Sequence, residues 1–126
     1  MQTPTEFIQE WQGKISSKDT DALISLYKED AVLLGTFDNK VRRGRQQIKD
    51  YFESLTTLQP EVEVTQIICR EICSGTVAIT DGFYNFRILQ NLTRIIVSAR
   101  FTFVLERTGT KWYILSHHSS KKADAS

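Results

Sequence analysis

The stretch that decides the fold is residues 95–120, IIVSARFTFVLERTGTKWYILSHHSS, near the end of the 126-residue sequence. It contains two runs rich in β-branched and aromatic residues, separated by a short polar segment in which Gly109 suits a tight turn. Within each run polar and apolar residues alternate, as expected for strands whose two faces meet different surroundings. We therefore predict a long antiparallel hairpin here.

The two faces of the predicted hairpin differ in chemistry. In the first strand, three polar residues share one face: Ser98, Arg100 and Thr102. The residues between them are apolar: Ala99, Phe101, Phe103 and Leu105. In a regular second strand, one face would carry Trp112, Ile114, Ser116, His118 and Ser120, and the other Tyr113, Leu115, His117 and Ser119. The two histidines are therefore expected to lie on opposite faces.

Composition and charge exclude several classes of protein. Hydrophobic residues make up 40% of the chain and charged residues 25%, which is typical of an ordinary globular domain. The net charge of +1 predicts no general attraction to nucleic acid or to an anionic membrane, and the basic run at residues 40–45 is interpreted as a solvated loop. The N-terminus lacks the features of a signal peptide. We expect a cytoplasmic protein with no nucleic-acid or membrane partner.

Three amphipathic helices are predicted in the first half of the chain. Thr3, Pro4 and Glu6 form a helix start with a capping box. Asp19 is the predicted cap of a second helix, whose buried face comprises Ala22, Leu23, Leu26 and Tyr27. A third helix begins at Gly44 and carries a stripe at helical spacing, consisting of Ile48, Tyr51, Phe52 and Leu55.

The remaining segments predict strands. A short buried strand is expected at residues 30–35, followed by a polar loop or hairpin as far as residue 43. After Pro60 four long strands are predicted, at residues 62–72, 76–89, 94–106 and 111–119. This order predicts an α+β fold: a cone-shaped, strongly curved antiparallel sheet with three helices on its concave side. We expect one domain over residues 1–120, a ligand cavity inside the cone, and a disordered tail at residues 121–126.

This order of elements resembles the nuclear transport factor 2-like, or SnoaL-like, superfamily, which includes ketosteroid isomerases, scytalone dehydratases and polyketide cyclases. Within it, the sequence resembles the association (hub) domain of calcium/calmodulin-dependent protein kinase II. The resemblance is carried by Gly44 and by residues 51–53 (YFE), 98–101 (SARF), 109–112 (GTKW) and 118–120 (HSS). It extends over nearly the whole chain, and its most specific part is the C-terminal hairpin.

The resemblance implies two properties. Hub domains dimerise, and the dimers build closed rings, so the expected partner is the chain itself. Hub domains also have a deep basic pocket that accepts small carboxylates. Arg100 matches the strand arginine of the family, and His118 matches the histidine of its closing motif. Residues 81–84 (DGFY) carry no arginine where metazoan hubs have further pocket arginines, which implies a less basic pocket. No metal or other cofactor is expected.

The candidate ligand site is centred on Arg100, whose planar guanidinium suits a carboxylate. Its other candidate residues are His118, Asp81, Tyr84, Tyr51 and Trp11. Two alternatives stay open for Arg100: it pairs with an internal carboxylate such as Asp81 or Glu71, or it points into solvent. The aromatic candidates can equally be ordinary core residues.

The candidate subunit interface depends on the same choice of faces. If Arg100 lines the cavity, an apolar patch must cover the outside of the sheet, comprising Phe101, Phe103, Leu105, Tyr113 and Leu115. Monomers rarely expose such a patch, so it is interpreted as an interface between copies. If the faces are reversed, the phenylalanines are core residues and Arg100 is exposed.

An enzyme of the same fold is the main alternative. Aligning the sequence with ketosteroid isomerases puts their catalytic base near Gly35, their oxyanion-hole tyrosine near Trp11, and their acid near Arg100, so these functions are missing. No catalytic residue is assigned, and a non-catalytic, self-associating hub-like protein is predicted. A small lyase, isomerase or cyclase acting on an acidic or enolisable metabolite remains the alternative, using Asp38 as a base, or His118 with Asp81 or a tyrosine. An accessory subunit of a larger enzyme is a third hypothesis.

Overall fold

Three helices and six strands form the part of the chain that the structure, a computed structural model, describes, which is residues 1–124. The helices are α1 (Pro4–Ser17), α2 (Thr20–Ile24) and α3 (Gly44–Thr56). The strands are β1 (Tyr27–Leu34), β2 (Val41–Arg43), β3 (Glu61–Ile72), β4 (Val77–Gln90), β5 (Thr93–Thr108) and β6 (Lys111–Lys121). None of these helices is long and apolar enough to cross a lipid bilayer. The α+β class and the four long strands are confirmed.

Local sequence signals account for the helices. The Thr3 side chain accepts a hydrogen bond from the Glu6 backbone N–H, while the Glu6 carboxylate accepts one from the Thr3 N–H, which completes the predicted capping box. Asp19 caps α2 as predicted, through the N–H of Ala22. The prediction that α2 includes Tyr27 is wrong, because α2 ends at Ile24 and Tyr27 begins β1.

The six strands form one sheet in the order β2-β1-β6-β5-β4-β3. Every neighbouring pair is antiparallel except β1 and β6, which run parallel, so the sheet is mixed rather than wholly antiparallel as predicted. Register shifts in β1, in β3 after Val64 and in β6 opposite Leu105 mark bulges, which bend strands and curve the sheet. The strands β2 and β3 lie at its two edges, so the sheet does not close into a barrel.

The two faces of the sheet are the reverse of the predicted orientation. We call the helix-covered side the inner face; Ala99, Phe101, Phe103 and Leu105 lie there, each at most 4% exposed. The opposite side is the outer face, and it carries Arg70, Asp81, Phe83, Arg100, Thr102, Val104, His118 and Ser120. Burying four apolar side chains stabilises the fold by several kcal/mol, at about 25 cal/mol per Å² of apolar area, whereas a guanidinium is costly to bury.

The core lies between the inner face and the helices α1 and α3. At its centre the Trp11 indole of α1 stacks on the Tyr84 ring, with ring centroids 5.7 Å apart, and meets the Phe103 ring edge-on at 5.1 Å. Such aromatic pairs contribute about 0.5–1.5 kcal/mol each beyond the area that they bury. This packing holds α1 against the middle of the sheet.

The C-terminal boundary lies slightly beyond the predicted one. The strand β6 includes Lys121, and the backbone N–H of Lys122 donates to the carbonyl oxygen of Ser98. Strand pairing therefore continues into the segment predicted as a tail. The last two residues of that predicted tail, 125 and 126, lie outside the described residues.

Candidate functional site

A chain of buried hydrogen bonds runs through the core beneath the inner face. The imidazole of His117 lies at its centre, with Nδ1 3.0 Å from the Tyr27 hydroxyl and Nε2 3.1 Å from the Tyr84 hydroxyl. The Tyr84 hydroxyl donates to Ser119 Oγ, which is hydrogen-bonded to Thr36 Oγ1. At the other end, Trp11 Nε1 donates to the Tyr27 hydroxyl over 3.1 Å. We call these six residues the inner polar chain.

The donors and acceptors of the inner polar chain assign the tautomer of His117. An indole N–H can only donate, so the Tyr27 oxygen accepts from Trp11 and its own proton is free to point at His117 Nδ1. A neutral imidazole carries one N–H, which then lies on Nε2 and donates to Tyr84. Every buried polar group of His117 is thereby satisfied.

Burial keeps the inner polar chain uncharged near neutral pH. Desolvation lowers the pKa of His117 to about 3, with a smaller contribution from the nearby His118. Burial also raises the pKa of Tyr27 and of Tyr84 well above the ordinary value for a phenol, because the charged form of each would lose its hydration. At neutral pH the chain therefore consists of neutral donors and acceptors, suited to polarising a carbonyl or moving a proton rather than to binding a charge.

The loop between β1 and β2 covers the Thr36 end of the inner polar chain. The Phe37 ring packs edge-on against Phe86, with centroids 5.1 Å apart, and its backbone N–H donates to the Tyr51 hydroxyl over 3.2 Å. Burial raises the pKa of Tyr51 to about 12. Tyr51 also fills the space beside Gly35, where an added Cβ would lie 2.3 Å from the tyrosine ring. Only glycine, which has no Cβ, therefore fits at position 35 beside this tyrosine ring.

The predicted ligand residues fall into two groups on opposite sides of the sheet. Trp11 and Tyr84 lie in the inner polar chain, and Tyr51 packs under the loop. Arg100 and His118 are exposed on the outer face, and Asp81 lies there half-buried. The prediction that all six line one cavity is wrong, because the two sets belong to opposite positions of the strand alternation.

The outer face has its own polar network around Asp81. The Asp81 carboxylate accepts from Arg70 over 3.0 Å and from the hydroxyl of Thr102. Arg100 donates from Nε to Ser120 Oγ over 3.2 Å. Of the two partners proposed for Arg100, internal carboxylate or solvent, the structure supports solvent.

The predicted interface residues are divided in the same way. Phe101, Phe103 and Leu105 are core residues, which contradicts their assignment to an exposed patch. Tyr113 and Leu115 are half-buried on the other side of the hairpin. The bulge between Ile114 and Ser116 explains why β6 does not follow the predicted alternation: both Ile114 and His117 point into the core.

Four members of the inner polar chain were missed as site residues: Tyr27, Thr36, His117 and Ser119. For His117 and Ser119 the sequence offers only the alternation along β6, and the bulge between Ile114 and Ser116 interrupts that alternation. Tyr27 and Thr36 carry no such signal, because their partners lie 90 and 83 residues away along the chain.

The described residues offer no assembled metal centre. No group of three or more histidine, cysteine or acidic side chains in residues 1–124 is arranged to hold an ion. Of the two carboxylates considered for catalysis, Asp38 forms an ion pair with Arg42 at 2.6 Å, and Asp81 binds Arg70. Neither carboxylate contacts the inner polar chain among these hydrogen bonds.

The fold and the site define a class: an α+β domain with a curved mixed sheet whose helix-covered face encloses a neutral hydrogen-bonded chain. A model of the SnoaL-like domain family matches residues 5–124, so the chain belongs to this family, which has the nuclear transport factor 2-like fold. Among proteins of curated function, none matches the sequence significantly.

Solved structures extend this comparison. A Xanthomonas campestris protein provisionally assigned as a calcium/calmodulin dependent protein kinase II association domain is 33% identical, with a TM-score of 0.87, covering 94% of this chain and 84% of its own. A nuclear transport factor 2-like protein of unknown function from Pseudomonas putida is 17% identical, with a TM-score of 0.80, and the match covers 95% of this chain and 84% of that protein. A ketosteroid isomerase-like protein from Erwinia carotovora is 14% identical, with a TM-score of 0.75, and the match covers 94% of this chain and 92% of that protein. The last two show similarity of fold alone.

Proposed function

We propose that this protein is a self-associating, hub-like domain whose copies pair through the outer face of the sheet. The observation that carries the proposal is a set of exposed apolar side chains that lie on that face among the polar ones. Ile68, Ile72 and Ile96 are 57%, 45% and 59% exposed, and Phe83 and Val104 are half-buried among them. An apolar sheet face of this kind favours burial against a second protein surface.

The relative from Xanthomonas campestris supports a copy of the same chain as the partner. It is provisionally assigned as an association domain, and its similarity extends over 94% of this chain. The outer face also carries charges of both signs, Arg70 and Arg100 with Asp81 and Glu106. A surface of mixed charge can be self-complementary, whereas a surface of one sign would repel its own copy.

The proposal predicts that Val104→Glu dissociates the assembly while leaving the domain folded. A carboxylate placed within a buried apolar contact is expected to cost about 2 kcal/mol or more, roughly a 30-fold loss of affinity. Light scattering across a dilution series should give a mass of at least twice the 14.5 kDa of one chain for the unaltered protein and a lower mass for the variant.

The matched control is Leu92→Glu. Leu92 is 95% exposed in the turn between β4 and β5, away from the outer face, so this variant should assemble like the unaltered protein. Circular dichroism checks that both variants are folded. A monomeric unaltered protein at every concentration would overturn the proposal.

A second candidate function is small-molecule acid–base chemistry inside the cone. The inner polar chain favours it: a neutral His117 between two tyrosines, linked to a loop residue through Ser119, is a route for moving a proton. A ligand carbonyl would have to displace the loop around Thr36 and Phe37 to accept a hydrogen bond from Tyr84 or Ser119. The domain would then act on a small enolisable compound.

Acetylacetone, a small enolisable diketone that carries no carboxylate, is a direct probe of this second candidate. Binding at millimolar concentration should shift the ring resonances of His117 in nuclear magnetic resonance spectra, and Tyr84→Phe should weaken the shift several-fold because it removes a donor. The ring resonances of the exposed His118 are the internal control and should stay in place. Unchanged His117 resonances at saturating probe would contradict this candidate.

A further inference from the structure

We infer that Arg100 of one copy seats beside Asp81 of a second copy, so that two symmetry-related Arg100–Asp81 ion pairs lie at the centre of the interface. This inference rests on the proposed self-association and adds to it a specific contact between the two sheets. It assigns a role to the most prominent polar pair of the outer face, and it makes pairing specific rather than merely apolar.

Arg100 is exposed, and its guanidinium has no carboxylate partner within residues 1–124. Its Nε donates to Ser120. An exposed guanidinium is satisfied by water, but packing a second sheet over it removes that water. Leaving that charge without a partner in a dry contact opposes association, so the partner surface has to supply an acceptor.

Asp81 is the carboxylate best placed to supply that acceptor. It lies on the outer face opposite Thr102, while Arg100 lies opposite Phe83, so the two residues are diagonal neighbours on adjacent strands. One Asp81 oxygen accepts from Arg70 and the other from Thr102. Because an ionised carboxylate offers about four lone-pair sites, both oxygens can accept a further bond from the terminal nitrogens of an incoming guanidinium.

The shape of the outer face fits the same arrangement. Arg100 stands between two open hollows. One, of about 270 Å³, is lined by Ile68, Asp81 and Phe83, and the other, of about 300 Å³, by Thr102, His118 and Ser120. An arginine that projects beside a hollow with a carboxylate in its wall is a self-complementary feature. The aliphatic stem of the side chain would contact Ile68 and Phe83, while its head reaches Asp81.

Twofold symmetry turns this feature into a pair of contacts. In an isologous dimer, if residue i contacts residue j of the partner, then j also contacts i of the partner. A twofold axis that runs in the plane of the interface, between Arg100 and Asp81, lays each arginine over the aspartate of the other copy. Without this offset the two arginines would face each other, and like charges would oppose association.

Charge reversal in mixed samples tests the inference sharply. Arg100→Glu alone and Asp81→Lys alone should each weaken self-association at least 10-fold, because each homodimer would contain two like-charged contacts. An equimolar mixture of the two variants should form a heterodimer, because both contacts then join opposite charges. The double variant should likewise self-associate to within about 3-fold of the unaltered protein. Light scattering and mixing of differently labelled chains give these affinities.

The controls separate this inference from the proposed function. Lys40→Glu, in the exposed loop before β2, makes the same change in net charge as Arg100→Glu and should leave association unaltered. Assembly that persists in both single variants, or variants that fail to pair when mixed, would overturn the Arg100–Asp81 contact while self-association stands. Assembly that requires added inorganic phosphate and is unchanged by Asp81→Lys would also overturn the Arg100–Asp81 contact, since an anion would then bridge the arginines. A monomeric unaltered protein would overturn the proposed function itself.

Discussion

Replacing Phe103 by alanine is expected to lower the free energy of unfolding by about 3–5 kcal/mol, which is typical of removing a buried phenylalanine. The Phe103 side chain has no exposed area, and its ring stacks on the His117 imidazole with centroids 3.9 Å apart. It also meets the Trp11 and Phe101 rings at 5.1 Å and 5.2 Å. The cavity left by truncation lies between the rigid sheet and α1, where neighbouring rings cannot move to fill it. Urea unfolding followed by tryptophan fluorescence measures the loss.

Val104→Ala is the matched control, because Val104 is the next residue in β5 and lies on the opposite face. Its removal from a half-buried position is expected to change the stability of the folded chain by less than about 1 kcal/mol, with any larger effect confined to self-association. Both variants are compared at one protein concentration, since association adds to apparent stability. A small loss for Phe103→Ala with a large one for Val104→Ala would contradict the assignment of the faces.

Local signals predicted the elements of this fold well. The capping box at Thr3 and Glu6, the apolar stripe of α3 and the glycine-containing turn at Gly109 each depend on residues a few positions apart. The boundaries of the four long strands followed from β-branched runs interrupted by polar turns, and they agree with the structure to within about two residues, whereas β1 begins three residues before the predicted strand. Features determined by neighbours in sequence can be predicted from a single sequence, because their physical causes are contained in it.

The orientation of the sheet could not be obtained in the same way. The alternation along β5 places Arg100 and Phe101 on opposite faces of the sheet, but it does not tell which of the two faces is buried. A further argument must decide which residues face the core. The assumption that Arg100 binds a ligand inside the cone led to the wrong orientation of the sheet. The burial of Phe101, Phe103 and the residues beside them outweighs anything that one internal ion pair could return. Counting apolar area on the two faces would have indicated the correct choice.

Contacts between segments that are distant in the sequence account for the remaining differences between the predicted and the observed structure. The parallel pairing of β1 with β6 joins segments about ninety residues apart, and no short-range pattern reports it. The bulge near Leu115 moves His117 into the core and His118 outward, because one extra residue exchanges the two faces of everything after it. The inner polar chain depends on both features, so it could not be predicted even though every one of its residues is visible in the sequence.

Acidification is expected to destabilise the protein through His117, by up to about 1.4 kcal/mol for each pH unit below the ordinary histidine pKa of 6.5. The unfolded chain takes up a proton at His117 near pH 6.5, whereas the folded chain does not do so until the pH approaches the lowered pKa of about 3. The unfolded state therefore binds more protons across this window, and the free energy of unfolding falls as the pH falls. The contribution of His117 is complete above pH 6.5, and about 2 kcal/mol of it is lost between pH 7 and pH 5.

Two variants isolate this contribution. His117→Gln keeps one donor and one acceptor for Tyr84 and Tyr27 but cannot be protonated, so its unfolding free energy should be about 2 kcal/mol less dependent on pH between 7 and 5. His118→Gln removes the neighbouring exposed histidine and should keep the pH dependence of the unaltered protein. That result would exclude the outer-face histidine as the source of the pH-dependent loss of stability. Urea unfolding at fixed protein concentration gives both comparisons. If His117→Gln and the unaltered protein lose stability in parallel, the buried imidazole is not the group that senses acid.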